Sequence, residues 1–128
     1  MDAADTIRSY YDALRDGEPL GPFFAPERPA DDAIVKFGLS ERLVGIDAVR
    51  EGLREQTATT VDWAVDSRAL RTTERERHAW FSDAVEMGWT DTERGIHYEF
   101  DTRWSGTLEL RDGDWRFVGM HVSTAEDR

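Results

Sequence analysis

The chain contains no cysteine, a single lysine and few prolines, and these shortages narrow what it can be. Without cysteine it has no disulfide, no thiolate metal site and no cysteine nucleophile, which fits a reducing compartment. No apolar run approaches the roughly 18 residues of a membrane span. The N-terminal stretch MDAADTIRSYYDAL has neither the basic region nor the apolar core of a signal peptide. We therefore expect a soluble, cytoplasmic protein.

Acidic residues outnumber basic ones by 27 to 16, which gives a formal net charge of −11, and Lys36 is the only lysine. A field of this sign repels phosphate backbones and anionic lipid surfaces, which argues against nucleic-acid and membrane partners. Excess acid with almost no lysine is typical of proteins from salt-loving organisms, in which carboxylates hold water and keep the protein soluble. An ordinary acidic protein from a GC-rich genome is the alternative explanation.

The hydrophobic periodicity predicts two helices and a run of strands. Residues 5–16 and 46–57 repeat apolar side chains at helical spacing, whereas residues 33–39 have the composition of a strand. Four long strands follow, the last two joined by a tight turn at Asp112-Gly113. Helices segregated from such a meander predict an α+β fold, a cone-shaped curved antiparallel sheet wrapped around the N-terminal helices.

The length is that of a single domain, which we expect over residues 1–128 with its core at about 4–123. The segments LSERLVG (39–45) and TTERER (72–77) are predicted to be turns. In the strand between them, alternation predicts that three apolar residues share one face, Val61, Trp63 and Val65.

The final strand, WRFVGMHVS, has apolar residues on both of its predicted faces. Trp115 and Phe117 share one face, and the other face carries Val118, Met120 and Val122. A strand that is apolar on both faces is normally covered on both. If the helices cover one face, a second subunit is the simplest cover for the other, which predicts a homodimer through the outer face of the sheet.

Three stretches carry a family resemblance: GIDAVREGL, AWFSDAVEM and SGTLELRDGDWRFVGMHVS. Together they resemble the SnoaL-like branch of the nuclear transport factor two-like superfamily, which includes ketosteroid isomerase. The ending DGDWRFVGMHVS is also similar to the association domain of calmodulin-dependent kinase. The resemblance implies the cone fold, but the superfamily contains cyclases, dehydratases, isomerases and proteins that only bind or assemble, so it does not imply one activity.

The resemblance can be carried over residue by residue. Tyr10 matches the isomerase tyrosine that donates a hydrogen bond to the substrate oxygen. Lys36 or Phe37 occupies the place of the isomerase base. Gly106 occupies the place of the second, protonated aspartate, and also of an arginine in the kinase association domain. Only one of three isomerase groups is therefore retained, which argues against steroid isomerisation.

Asp83 is the acid with the most suggestive pattern, since alternation places it on a strand face with four apolar residues. A carboxylate buried beside a pocket could act as a general acid or base. The alternative is a solvated carboxylate, or one paired with an arginine such as Arg103.

Tyr10 and Tyr11 are predicted on the inner helix face, where a tyrosine can line a pocket or complete a core.

His121 is predicted on the outer face of the sheet, with a pocket acid–base role as the alternative. The three histidines are far apart in sequence and form no HExxH motif, and the chain has no Walker loop and no GxGxxG. We therefore expect no metal and no cofactor.

Five tryptophans fall on predicted strands, and in a small cone some of them must line a cavity unless they fill it.

Our leading hypothesis is a homodimer whose aromatic-lined pocket binds a small apolar organic molecule. The predicted ligand-binding residues are Tyr10, Trp63, Trp104, Val118 and Met120. One alternative is a cyclase, isomerase or dehydratase that transfers protons with Asp83 and Tyr10. The other is a non-catalytic oligomerisation module with a filled cone.

Overall fold

The computed structural model describes residues 1–26 and 33–125, so the predicted domain 1–128 extends past the described residues. The described chain forms helices, strands and one short 3-10 turn. In chain order these are α1 (Ala3–Asp16), the 3-10 turn Gly21–Phe23, β1 (Val35–Phe37), β2 (Arg42–Val44), α2 (Ile46–Thr59), β3 (Thr60–Ser67), β4 (Arg71–Glu74), β5 (His78–Asp91), β6 (Ile96–Arg111) and β7 (Asp114–Ser123).

Helix α1 begins with a capping box and ends at a glycine. The Asp2 carboxylate accepts a hydrogen bond from the Asp5 backbone N–H at 2.8 Å, and the Asp5 carboxylate accepts one from the Asp2 N–H at 3.1 Å. This exchange satisfies N–H groups that the first turn leaves unpaired. Gly17 follows with φ of 70°, a left-handed conformation that glycine adopts without steric cost. The predicted helix over 5–16 is confirmed and starts two residues earlier.

The strands form one mixed sheet in the order β2-β1-β7-β6-β5-β3, with β4 paired to β5 as well. The predicted antiparallel sheet is correct except for one pair, because β1 and β7 run parallel. Helix α1 contacts β3, β4 and β7, which lie on both sides of the long β5–β6 pair. The sheet therefore wraps around this helix, and it stays open because β2 and β3 end it at opposite edges. The α+β cone predicted from the sequence is confirmed.

The inner face of the sheet and α1 together form the core. Strand β5 buries every second residue from Ala79 to Met87, as its alternation predicts. Opposite it, α1 buries Ile7, Tyr10 and Leu14 on one face. The resulting cluster fills the space between α1 and the sheet.

Two segments predicted to be turns contain strands. Within 39–45, Arg42–Val44 forms β2 and pairs with β1, and within 72–77 the first residues belong to β4. Val61 was expected to share a face with Trp63 and Val65, but it is 46 % exposed whereas Val65 is buried. The reason is a bulge between Val61 and Ala64, where Asp62 adopts a φ of 56° and shifts the register of β3 against β5.

The prediction that β7 is apolar on both faces is wrong, and a second bulge is the reason. Thr107 pairs with Gly119 and the next residue of β6, Leu108, pairs with Phe117, so Val118 is an extra residue in β7. The extra residue inverts the alternation. Trp115, Phe117, Met120 and Val122 are consequently all buried in one core. The apolar residues of β7 therefore need no second subunit to cover them.

Candidate functional site

A cavity of about 130 Å³ opens beside α1 on the inner face of the sheet. Its walls come from α1, from the turn between β1 and β2, from the end of α2, and from β3, β5, β6 and β7. The lining residues are Tyr10, Leu14, Lys36, Gly38, Leu39, Ser40, Glu41, Gln56, Thr60, Trp63, Met87, Trp89, Trp104 and Val122.

Aromatic rings form much of the cavity wall. Trp63 and Trp89 stack with their ring centroids 4.9 Å apart and their planes 19° apart. The Trp63 indole N–H donates a hydrogen bond to the Thr60 hydroxyl at 2.8 Å, which fixes the orientation of that ring. Trp104 meets the edge of Tyr10 at 6.0 Å between centroids. Flat, rigid walls of this kind favour ligands that contain an aromatic ring.

Tyr10 is 1 % exposed, with its ring packed against those of Phe23, Phe117 and Trp104. Burial raises the pKa of its hydroxyl well above the usual range, and the Glu41 carboxylate adds to the rise. Among the described residues, none accepts a hydrogen bond from this hydroxyl, yet no fully enclosed polar atom lacks a partner. Because Tyr10 lines the cavity, its neutral hydroxyl is a donor available to a molecule bound there.

Lys36 supplies the cation of the cavity. Its side chain is only 6 % exposed, and its ammonium contacts the carboxylate of Glu41, which is 31 % exposed. Burying an ammonium is costly unless an anion accompanies it, so Glu41 stabilises the lysine in this position. The resemblance placed Lys36 or Phe37 where the isomerase has its base. Glu41 was not predicted as a site residue, because its segment was expected to be a simple turn.

Asp83 lies on the predicted inner face and is 5 % exposed. Its carboxylate accepts hydrogen bonds from the Tyr11 hydroxyl at 2.9 Å, the Ser67 hydroxyl at 2.5 Å and the Ala69 backbone N–H at 2.9 Å. These bonds tie α1 and the β3–β4 connection to the centre of β5. Asp83 is not among the residues that line the cavity, and its catalytic role remains a prediction.

The other predicted residues divide between the cavity and its surroundings. Tyr10, Trp63 and Trp104 line the cavity, whereas Val118 and Met120 do not. Met120 is buried in the core, and Val118 is the half-buried extra residue of the β7 bulge. His121 is exposed on the outer face, as predicted, with its ring 6.2 Å from that of Phe37.

Gly106 has no room for the side chains that the resemblance associates with its position. A Cβ placed on this residue would lie 2.4 Å from the Gly119 carbonyl oxygen and 2.9 Å from the Phe81 ring. A contact of 2.4 Å with backbone cannot be relieved by rotating a side chain. The close packing of β6 on β7 therefore requires glycine here, and neither an aspartate nor an arginine fits.

The described histidines lie apart from one another on the sheet. No three histidine, aspartate or glutamate side chains among the described residues are grouped so that they could hold a metal ion. His78 lies near Glu109, His97 near Thr90 and His121 near Phe37, on separate parts of the sheet.

Neither of the two described helices has the length and hydropathy needed to cross a membrane.

Solved structures with low sequence identity share this fold. A candidate dehydratase of the NTF2-like family from Streptomyces avermitilis has 14 % identity and a TM-score of 0.83, with 97 % of this chain and 94 % of that chain covered. A ketosteroid isomerase-like protein from Erwinia carotovora atroseptica has 16 % identity and a TM-score of 0.76, with 97 % and 94 % covered. A candidate scytalone dehydratase from Novosphingobium aromaticivorans has 16 % identity and a TM-score of 0.78, with 96 % and 81 % covered.

These identities establish a shared fold and leave the activity open. No curated protein matches the chain. The family model of the SnoaL-like domain matches residues 4–127, which is nearly the whole sequence. The chain therefore belongs to the family of SnoaL-like domains.

Proposed function

We propose that this domain binds a small, largely apolar organic molecule in the cavity between Tyr10, Trp63 and Trp104. The observation that carries the proposal is the combination of aromatic walls with a few convergent polar groups. Binding sites for small molecules are typically built in this way, with apolar walls for affinity and sparse polar groups for orientation. The Tyr10 hydroxyl is the group best suited to orient a carbonyl or carboxyl oxygen, because no described residue uses its hydrogen bond.

The size of the cavity favours a ligand with a single ring. Its volume of about 130 Å³ is close to that of the apolar cavity of roughly 150 Å³ that holds benzene in an engineered protein. A polycyclic molecule such as a steroid would need the walls to move apart. The cavity also supports an open pocket over the alternative of a cone filled entirely by tryptophan side chains.

Thermal unfolding with a panel of ligands tests this proposal. Toluene, benzyl alcohol and benzamide represent single rings, and a steroid represents a polycyclic molecule. A single-ring ligand at a hundred times its Kd should add about 2.7 kcal/mol to the free energy of unfolding.

Trp63→Leu should weaken binding about tenfold, because it removes a wall of the cavity. Trp80→Leu is the matched control, since Trp80 lies outside the cavity and is 47 % exposed. Equal loss in both variants would count against the proposed site.

Proton transfer with Asp83 and Tyr10 is the second candidate function, corresponding to a cyclase, isomerase or dehydratase. The Tyr10 hydroxyl supports it, since a fixed neutral donor stabilises charge that develops on a carbonyl oxygen. For Asp83 to act as the base, a substrate would have to reach a carboxylate that Tyr11 and Ser67 already contact. A substrate turned over equally well by the Asp83→Asn variant would exclude this role.

Homodimerisation through the outer face of the sheet is a further part of the proposal. Ser82, Ala84 and Ser105 give this face a centre of small side chains, and the exposed Trp80 lies beside it. Small side chains at the centre of a face leave room for a second sheet to approach across a two-fold axis. Sedimentation should therefore give twice the mass of one chain, and Ala84→Arg should reduce it to one. A wild-type chain that sediments as a monomer at high concentration would contradict the dimer.

A further inference from the structure

The ion pair in the cavity is unequal in its exposure to water. The Lys36 side chain is 6 % exposed, whereas that of Glu41 is 31 % exposed. Lys36 lies in the middle of β1, which is paired on both sides, so its backbone is held in the sheet beside the cavity. Glu41 belongs to the turn between β1 and β2 and can place its carboxylate in water by rotating its side chain.

The turn directs the Glu41 side chain over the cavity. The Gly38 N–H donates a hydrogen bond to the Glu41 carbonyl oxygen at 3.1 Å, which closes the turn. A Cβ on Gly38 would lie 2.7 Å from the Glu41 carboxylate oxygen Oε1, so the absence of a side chain at Gly38 leaves space for this carboxylate. Tyr10 lines the same cavity, and the Glu41 carboxylate adds to the rise in the pKa of its hydroxyl.

An anion therefore contacts a buried ammonium in a cavity that Tyr10 also lines. Removing that anion without replacement would leave a buried charge uncompensated, which is strongly unfavourable. A ligand that brings its own anion can release Glu41 into water and still satisfy Lys36. A neutral ligand cannot make this exchange, and it has to share the cavity with the Glu41 side chain.

We infer that the preferred ligand of this cavity is a small aromatic carboxylate, whose carboxylate replaces that of Glu41 on the Lys36 ammonium. The same carboxylate accepts a hydrogen bond from the Tyr10 hydroxyl, and the aromatic ring lies between the tryptophan walls. Among the described residues that line the cavity, Lys36 is the only cation, so it sets this preference alone. The inference rests on the proposed binding function and names its ligand class.

Calorimetric titration with benzoate and benzamide tests the inference, because the two probes have nearly the same shape and differ in charge. Salt near physiological strength limits repulsion by the net charge of −11. We expect benzoate to bind at least tenfold more tightly than benzamide to the wild-type protein. Lys36→Met should abolish this preference, and Glu41→Gln should strengthen benzoate binding about tenfold by removing the competing carboxylate.

Two controls separate the possible failures. Melting temperatures test whether both variants are folded, and Lys36→Met is expected to fold because Glu41, at 31 % exposure, can turn its carboxylate into water. If benzamide binds as well as benzoate in all three proteins, the carboxylate inference is wrong while the binding pocket stands. If neither probe binds the wild-type protein but the toluene of the ligand panel does, the inference is again wrong alone. If no single-ring molecule binds, both the inference and the proposed function fail.

Discussion

Replacing Asp83 with alanine is expected to lower the free energy of unfolding by about 3 kcal/mol. The substitution removes the acceptor for the Tyr11 hydroxyl, the Ser67 hydroxyl and the Ala69 backbone N–H. Hydrogen bonds to a charged group contribute about 1.5–3 kcal/mol, and buried donors left without a partner cost about 1–3 kcal/mol each. The loss should lower the Tm by about 10 °C in a domain of this size. Differential scanning calorimetry at neutral pH measures both quantities.

Two milder substitutions show whether the carboxylate itself carries this stability. Asp83→Asn keeps the shape and one acceptor oxygen, and hydroxyls can reverse their hydrogen bonds, so the loss should be about half that of alanine. Tyr11→Phe removes one donor and should cost about 1 kcal/mol. The double variant Tyr11→Phe, Asp83→Asn should lose less than the sum of the single losses, because the two residues share a bond. Additive losses, or a stable Asp83→Ala protein, would contradict the assigned role.

The protein is expected to lose stability steeply in alkaline solution, by about 2.7 kcal/mol per pH unit above about pH 10. Burial raises the pKa of both the Tyr10 and the Tyr11 hydroxyls above the usual range, and for Tyr11 the Asp83 carboxylate adds to the rise. Above pH 10 the unfolded chain releases these two protons and the folded chain retains them. Because the unfolded state then binds fewer protons, the free energy of unfolding falls as pH rises, by 1.36 kcal/mol per unit for each group.

Urea unfolding between pH 8 and pH 11 measures this slope, which should be close to zero at the lower end. Tyr10→Phe and Tyr11→Phe should each reduce the slope by about half, since each removes one group that is held neutral. The matched control is Tyr98→Phe, because Tyr98 is only half-buried and packs beside Phe100 at the sheet surface. A wild-type slope that both core substitutions leave unchanged would show that other groups control the alkaline transition.

The burial of Asp83 could be predicted from the sequence because β5 alternates without interruption. Its partners could not, since Tyr11 lies 72 residues away in the chain and Ser67 lies 16 residues away. Alternation within a strand shows which face a residue occupies, but it carries no information about which distant segment covers that face. The sequence therefore indicated a buried acid, and the structure supplied the three donors that stabilise it.

The bulges mark the limit of the strand predictions. An extra residue such as Val118 inverts the side-chain alternation in β7, but the run 117–120 is entirely apolar or glycine, so the pattern does not mark the residue at which the inversion occurs. The same difficulty affects β3 at Asp62. Glu41 was missed for another reason, because its role depends on the close approach of two short strands with little periodicity of their own. Lys36 carried a sequence signal, being the single lysine in the chain.

The most direct test of the binding site is an NMR titration of the five tryptophan indole N–H resonances with a single-ring ligand such as benzyl alcohol. Trp63, Trp89 and Trp104 line the cavity, whereas Trp80 and Trp115 lie outside it and serve as internal controls. We predict saturable shifts of the first three resonances, with the Trp80 and Trp115 resonances unchanged. Shifts confined to Trp80, or no saturable shift of any resonance with any single-ring ligand, would contradict a binding site in this cavity.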